Sequence, residues 1–328
     1  MTKQIQVSEL EEFTVKNDAG MTLTVLNFGA VVTGVYLPGV EENMVLRFDD
    51  LHTYVENPGY LGAVIGRTAG RTEGAAFELD EKTYELAAND GKNHLHGGEK
   101  GFAHSFFDIE TEGSSVICRL HSPDGEDGYP GNVDVTVTYH LTADNELQIF
   151  YDAETDSVTP LNLTNHAYFC LGSTSVENMQ FQLHAHSYGV LKEGSIPAYY
   201  EHLDEDPLFD FREKKKMGDA FDQTHAQVQM AGGGIDHPFV LQDGNPAAVL
   251  YNPENQVSMS VRTDQPAVVV YTANQMGGGD GVTVNGREPR PYAAVCLETQ
   301  HVPNETEQIL LHPDEKWRSM TAYAFHQS

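Results

Sequence analysis

Hydrophobic alternation with a period of two is the feature that most restricts what this chain can fold into. In GNVDVTVTYHL, Val133, Val135, Val137, Tyr139 and Leu141 alternate with polar residues. Successive side chains of an extended backbone point to opposite faces, so this segment reads as a half-buried strand. The turn residues ADNE follow, and Leu147, Ile149 and Tyr151 then resume the alternation, which predicts an antiparallel hairpin. Met21 to Pro38 reads the same way, with Gly29 and Gly34 marking bulges or close backbone approaches. Further strands are expected at 115–121, 179–185, 257–263, 267–272 and 293–300. Helical patterning is confined to two short candidates, 213–224 (EKKKMGDAFDQT) and 47–56 (RFDDLHTYVE).

No period of 20–50 residues recurs, and no low-complexity linker divides the chain. The Gly-rich stretch 276–292 is expected as a surface loop rather than a boundary. Many short strands in one uninterrupted chain predict a single all-β domain over residues 1–328, a large antiparallel β-sandwich.

Charge narrows the choice of partner. With 49 acidic against 19 basic residues, the net charge is −30. Such a surface repels nucleic acid and anionic membranes, and it disfavours phosphorylated or acidic substrates unless a local basic pocket offsets the field. The first residues, MTKQIQVSELEEFTV, have no signal-like apolar run, and no window approaches the ~18 apolar residues of a membrane span. Three widely spaced cysteines, Cys118, Cys170 and Cys296, suggest reduced thiols. A cytoplasmic location is the expectation.

Four clusters could carry chemistry. In IGRTAGR, Arg67 and Arg71 follow an apolar strand; their rigid donor forks suit sugar hydroxyls or a carboxylate, and one of them equally suits a structural ion pair. In NHLHGG, His94 and His96 would share a face on a strand. They could begin a metal site, bind a sugar, or serve as satisfied core histidines; HEXXH and CXXC patterns are absent. In LNLTNHAYFCLG, Asn162, Thr164, His166 and Tyr168 form a polar alternation, and an oriented His166 suits proton transfer near neutral pH. In AAVCLETQHVP, Glu298 is a carboxylate within an apolar strand, on one face with Cys296 and Gln300. Burial would raise its pKa and make it a better base near pH 7, unless it simply pairs with an arginine. Asp236, in GGGIDHPFVL, could cap a turn or accept hydrogen bonds from sugar hydroxyls.

These segments together resemble the aldose 1-epimerase (galactose mutarotase) family. NFGAVVTGVYLP, IGRTAGRTEGAAFELDEKTYELAANDGKNHLHGG, LNLTNHAYFCLG, GGGIDHPFVL, VVVYTANQM and CLETQHVPNE follow in the family's order, from about residue 10 to 325. The resemblance implies a galactose mutarotase-like β-supersandwich with a cleft on one sheet, acting on a small-molecule sugar. His166 matches the family's general acid and Glu298 its general base. Arg71, His96 and Asp236 match the residues that hold the sugar. No metal or organic cofactor is implied.

Two positions depart from the family pattern. Gly70 stands where Asn is common, which removes an amide that could touch the sugar. Phe106 and Phe107 lie near a common tryptophan, which points to altered packing rather than altered chemistry. An epimerase of phosphorylated hexoses, a non-catalytic carbohydrate-binding sandwich and a metal enzyme built on His94 and His96 are the rival readings. The preferred sugar (galactose, glucose or a reducing disaccharide such as maltose) and the oligomeric state are not encoded in these motifs; loop 276–292 is a candidate cover for the cleft.

Overall fold

The computed structural model describes residues 9–277 and 281–327. Among these residues a nine-stranded antiparallel sheet runs, in spatial order, through Lys215–Lys216, Gln180–Leu183, Ala248–Asn252, Val257–Thr263, Trp317–Gln327, Glu146–Thr155, Val133–Leu141, Ser115–Ser122 and Asp108–Glu112. A six-stranded antiparallel sheet runs through Tyr168–Phe169, Val295–Gln300, Ala267–Tyr271, Asp236–Leu241, Ala185–Lys192 and Ile196–His202. The period-two segments beyond residue 100 fill these sheets, and the 21–38 segment lies in a separate three-stranded one. The alternation in 133–141 becomes a strand whose Val133, Val135, Val137, Tyr139 and Leu141 are all buried. It pairs with 146–155 through a turn in which Asn145 takes a left-handed φ of 59°, a conformation asparagine tolerates better than most residues.

The main core lies between the two sheets. Tyr139, Ile149, Met259, Tyr323 and Phe325 come from one sheet, and Phe169, Phe239, Val268, Val270 and Leu297 from the other. Cross-sheet contacts are specific: Tyr323 donates from its hydroxyl to the Leu297 carbonyl at 3.1 Å, and its ring centroid lies 4.7 Å from that of Phe169. The strand Val295–Gln300 is buried along its whole length. Val295 and Leu297 face the main core, while Cys296 joins a second apolar cluster with Leu61, Ile65, Tyr168 and Ala294 on the other face. The strand is covered on both faces, yet only its first half is apolar: Glu298, Thr299 and Gln300 are buried polar residues.

The 21–38 segment forms the expected hairpin, Thr22–Leu26 with Val32–Tyr36, with a register shift between Thr24 and Val25. Gly29 has φ +67°, and a Cβ there would lie 2.7 Å from the Ala103 carbonyl oxygen, so no larger residue fits.

Both helix expectations fail. Residues 213–224 contain a short strand, Lys215–Lys216, and a 3-10 turn, Met217–Ala220. Met217 and Ala220 are its only buried residues, a spacing that one turn satisfies, and Gly218 fits under the Glu177 carbonyl where a Cβ would come within 2.7 Å. Residues 47–56 contain the 3-10 turn Leu51–Val55, which buries only Tyr54 and so has no apolar stripe to sustain an α-helix. The α-helix among the described residues is Ala226–Met230, just beyond the expected position. No helix of the described residues is long and apolar enough to cross a membrane.

Candidate active site

The register of one strand pair builds the site. Tyr168 pairs with Cys296 and Phe169 with Val295, antiparallel. Continued by two residues, that register sets His166 against Glu298 on one face. The Nε2 of His166 lies 3.4 Å from Oε1 of Glu298, and both residues are buried.

His166 itself is not in a continuous strand, as the alternation of 162–168 suggested. It stands between the short strands Thr164–Asn165, paired to Val64–Ile65, and Tyr168–Phe169. The backbone is held there because His166 donates to the Ala63 carbonyl at 2.9 Å and accepts from Gly62 N–H at 2.9 Å. The flanking polar residues serve structure: Asn162 bonds the backbone N–H and C=O of His301 at 3.0 and 3.2 Å, and Asn165 donates to the Gly62 carbonyl at 3.1 Å.

Arg71, His96, His166, Asp236 and Glu298, the five residues matched through the family resemblance, line one cleft with a volume of about 140 Å³. The strand Arg71–Thr72 pairs with His94–Leu95 and brings Arg71 and His96 to it. Arg71 Nε donates to Asp90 Oδ2 at 2.7 Å, which fixes the guanidinium with its other nitrogens in no second salt bridge among the described residues. Asp236 opens the strand Asp236–Leu241. Its carboxylate accepts no hydrogen bond among the described residues, so its role is not to cap a turn.

The arginine pair separates. Arg67 is buried and donates to Ser122 Oγ (3.0 Å) and to the carbonyls of Ser122, Pro123 and Pro130 (each 2.9 Å). It is a core clasp, neither a sugar ligand nor part of a surface ion pair. The histidine pair separates too. The strand ends at Leu95, and His96 takes φ +53°, which turns it off the face that His94 occupies. His94 bonds the Ala87 carbonyl and the Tyr129 hydroxyl, each at 2.7 Å, and does not line the cleft.

Gly70, with φ +78°, donates its backbone N–H to His96 Nδ1 at 3.2 Å and accepts from His96 N–H at 3.1 Å. Because Nδ1 accepts, the neutral ring carries its proton on Nε2 and offers a donor. Ligand-type atoms of His96, His166 and Glu298 lie within 4.8 Å of one another. A cation would need a lone pair where His96 presents an N–H, whereas a sugar hydroxyl oxygen is a natural acceptor for it.

Aromatic residues complete the cleft. The ring of Tyr168 stacks on His166 at 5.1 Å and 26°, Tyr60 packs on His96 at 4.7 Å, and Tyr271 meets His166 edge-on at 6.2 Å. Tyr60, Tyr271 and Asp90 had no distinguishing signal in the sequence. Tyr60 follows Pro58-Gly59 in a tight turn and has φ +53°, a cue legible only as a turn. Phe107 packs into the main core and Phe106 meets Phe28 at 5.0 Å; neither lines the cleft.

Burial governs the electrostatics. It pushes the Glu298 carboxyl well above the usual carboxylate range, with Asp236 adding to the rise and Arg71 opposing it. It lowers His166 to about 4. His96 is held well below the ordinary imidazole range by burial and then by His166. Asp236 is raised by burial, against the pull of Arg71. The buried pair therefore favours its neutral form, with one proton held on Glu298. The ion-pair form, with that proton on His166, differs only by a transfer across 3.4 Å.

A sequence model of the aldose 1-epimerase family matches residues 11–324. The chain belongs to the aldose 1-epimerase family. It is 36% identical to an aldose 1-epimerase of Haemophilus influenzae over 89% of this chain and 86% of that one. It is 32% identical to a galactose mutarotase of Bos taurus over 96% and 94%. A crystal structure of a galactose 1-epimerase from Lactobacillus acidophilus superposes with a TM-score of 0.87 at 32% identity, covering 97% of this chain and 99% of the other. The expected mutarotase-like sandwich and epimerase class are thus borne out. Within this aldose 1-epimerase fold, the cleft opens beside the six-stranded sheet, whose strands supply Glu298 and Asp236.

Proposed function

We propose that the protein interconverts the α and β anomers of a free aldose, with His166 and Glu298 exchanging protons with the sugar. The reading rests on the 3.4 Å approach of His166 Nε2 to Glu298 Oε1 within a cleft that also carries Arg71, His96 and Asp236. A bound pyranose places its anomeric hydroxyl at Glu298 and its ring oxygen at His166. In the ion-pair form, Glu298 takes the hydroxyl proton while His166 Nε2 gives its proton to the ring oxygen. The C1–O5 bond breaks and a C1 aldehyde forms. The pair is now neutral, the form that burial favours, so the site is matched to the open-chain state. Rotation about C1–C2 presents the other carbonyl face, and the reverse transfers close the ring. Two groups whose environments hold opposite protonation tendencies are what such chemistry uses.

Arg71, His96 and Asp236 orient the hydroxyls, Arg71 and His96 as donors and Asp236 as acceptor. A neutral sugar fits this site better than a phosphorylated one. Among the described lining residues Arg71 is the only Lys or Arg, it is already paired with Asp90, and Asp236 and Glu298 stand opposite any phosphate. Galactose and glucose are the substrates proposed first, by kinship with relatives named for galactose; a reducing disaccharide presents the same reacting atoms. The chain acts as one domain over residues 1–328 and uses no metal or organic cofactor.

Polarimetry on freshly dissolved α-galactose and α-glucose tests the reading. The wild type should speed the approach to anomeric equilibrium. His166→Ala and Glu298→Gln should each lose about 10²–10⁴ in kcat. A folded variant of either kind with wild-type kcat would overturn the assignment.

A further inference from the structure

We infer that Cys296 is a positioning residue for His166, its sulfur holding Nδ1 so that Nε2 alone exchanges protons with the substrate. The inference rests on the acid–base reading above. Sγ of Cys296 lies 3.4 Å from Nδ1 of His166, within hydrogen-bonding range for sulfur, and both residues are buried. Cys296 occupies this place by register: it pairs with Tyr168, two residues from His166, and sits two residues from Glu298 on the same strand face.

The aromatic packing leaves this job undone. Tyr168 stacked at 26° and Tyr60 at 30° fix the plane of the imidazole. Stacking does not fix rotation within that plane, and only a directional bond to a ring nitrogen does. Glu298 meets Nε2 and the backbone of His166 itself offers the ring a hydrogen bond, while among the described residues Cys296 supplies the one side-chain bond at Nδ1. Burial, with Glu298 and Asp236 adding to it, keeps the thiol protonated. A neutral sulfur is a weak acceptor. It can hold Nδ1–H without stabilising the imidazolium as a carboxylate in that place would, so the ring is oriented while its Nε2–H stays acidic. As Nε2 gives up its proton to the ring oxygen, Nδ1–H remains on sulfur, and the neutral ring is left with its lone pair toward Glu298.

The test compares Cys296→Ala, Cys296→Ser and His166→Ala with the wild type by polarimetry across pH, with ¹⁵N NMR of the imidazole. Loss of orientation in Cys296→Ala should lower kcat about 10- to 100-fold with little change in KM. Cys296→Ser should restore most of kcat and move the acid limb of the pH profile upward, because a hydroxyl is a better acceptor for Nδ1–H of the imidazolium. In the wild type, neutral His166 should be the Nδ1–H tautomer, and its Nδ1 shift should move in Cys296→Ala and in Cys296→Ser as the partner of that N–H changes. Wild-type kcat and pH profile in Cys296→Ala, or an Nε2–H tautomer in the wild type, overturns the inference. If Cys296→Ala fails to fold, Cys296→Ser decides: an acid limb unmoved from the wild type overturns the inference. An active His166→Ala would sink the acid–base reading and this inference with it, whereas an inactive His166→Ala beside an unaffected Cys296→Ala sinks this inference alone.

Discussion

His166 and Glu298 face each other because Tyr168 pairs with Cys296: two steps along an antiparallel register carry that pairing to these two side chains, which meet at 3.4 Å. Facing residues of such a pair have Cβ atoms ~4.5–5.5 Å apart, so the backbone itself sets the spacing. The two groups should therefore behave as a unit. The double variant His166→Ala/Glu298→Gln should be no slower than the worse single variant, because either loss alone breaks the proton circuit. Multiplicative losses in kcat, measured by polarimetry, would show that the residues act independently.

The pH profile follows from the same pair. In the proposed mechanism one proton is shared between His166 and Glu298. A second proton enters as pH falls through the His166 value, lowered by burial to about 4. Loss of the shared proton is opposed by the raised Glu298 carboxyl. The rate should stay level through pH 6 and decline only toward pH 4. An acid limb near ~6.5, the ordinary histidine value, would contradict it.

Stability should show the matching trend, with the sign set by linkage. His166 and His237 are both lowered by burial, to about 4 and about 3. A lowered histidine contributes stability above its unfolded value near 6.5 that is lost as pH falls toward the folded value. Glu298 is raised, so its contribution is full below the unfolded value of ~4.3 and declines as pH rises through its folded value. Glu298→Gln should then raise Tm more at pH 9 than at pH 4, while His237→Asn should flatten the Tm loss between pH 6.5 and 4. Scanning calorimetry across pH checks both.

Asp90 does not line the cleft, yet it holds Arg71 through a 2.7 Å bond to Nε. Asp90→Asn should loosen the guanidinium and raise KM several-fold with kcat nearly unchanged. Arg71→Lys should raise KM further, since an ammonium cannot reproduce the planar fork. Steady-state polarimetry separates the two parameters, and an unchanged KM in both variants would remove Arg71 from sugar recognition.

How much of this was legible in the chain depended on how local each cause was. Glu298 stood out because a carboxylate in an apolar strand is costly without a use. The sandwich was legible because alternation is a property of neighbouring residues. Arg67 and Arg71, four residues apart and alike in sequence, diverge because carbonyls of 122, 123 and 130 converge on one of them and Asp90 on the other. His94 and His96 diverge through one positive φ. No local pattern announces Tyr60, Asp90 or Tyr271: Tyr60 and Asp90 lie in loops that meet over the sheet, and Tyr271 ends a strand whose neighbours in the sheet are distant in sequence.

Gly70 is where this chain departs from the family's common asparagine, and the structure gives the departure a cause that can be tested. A Cβ at position 70 would lie 2.8 Å from Cβ and 2.9 Å from Cγ of Pro303, and the backbone there has φ +78°. Proline cannot swing aside as a flexible side chain would. Gly70→Ala should therefore cost about 2–4 kcal/mol, combining left-handed strain with overpacking. Gly70→Asn should lower the backbone part but keep the clash, so restoring the family residue alone should destabilise rather than improve the enzyme. Pro303 also lines the cleft, and its displacement should raise KM in both variants. Removing the ring separates the two terms. In a double-mutant cycle with Pro303→Ala, Gly70→Ala should recover the overpacking part, about 1–3 kcal/mol, and retain only the strain. Denaturant unfolding of the four proteins measures the coupling; strictly additive losses would mean that Pro303 is not what keeps position 70 a glycine.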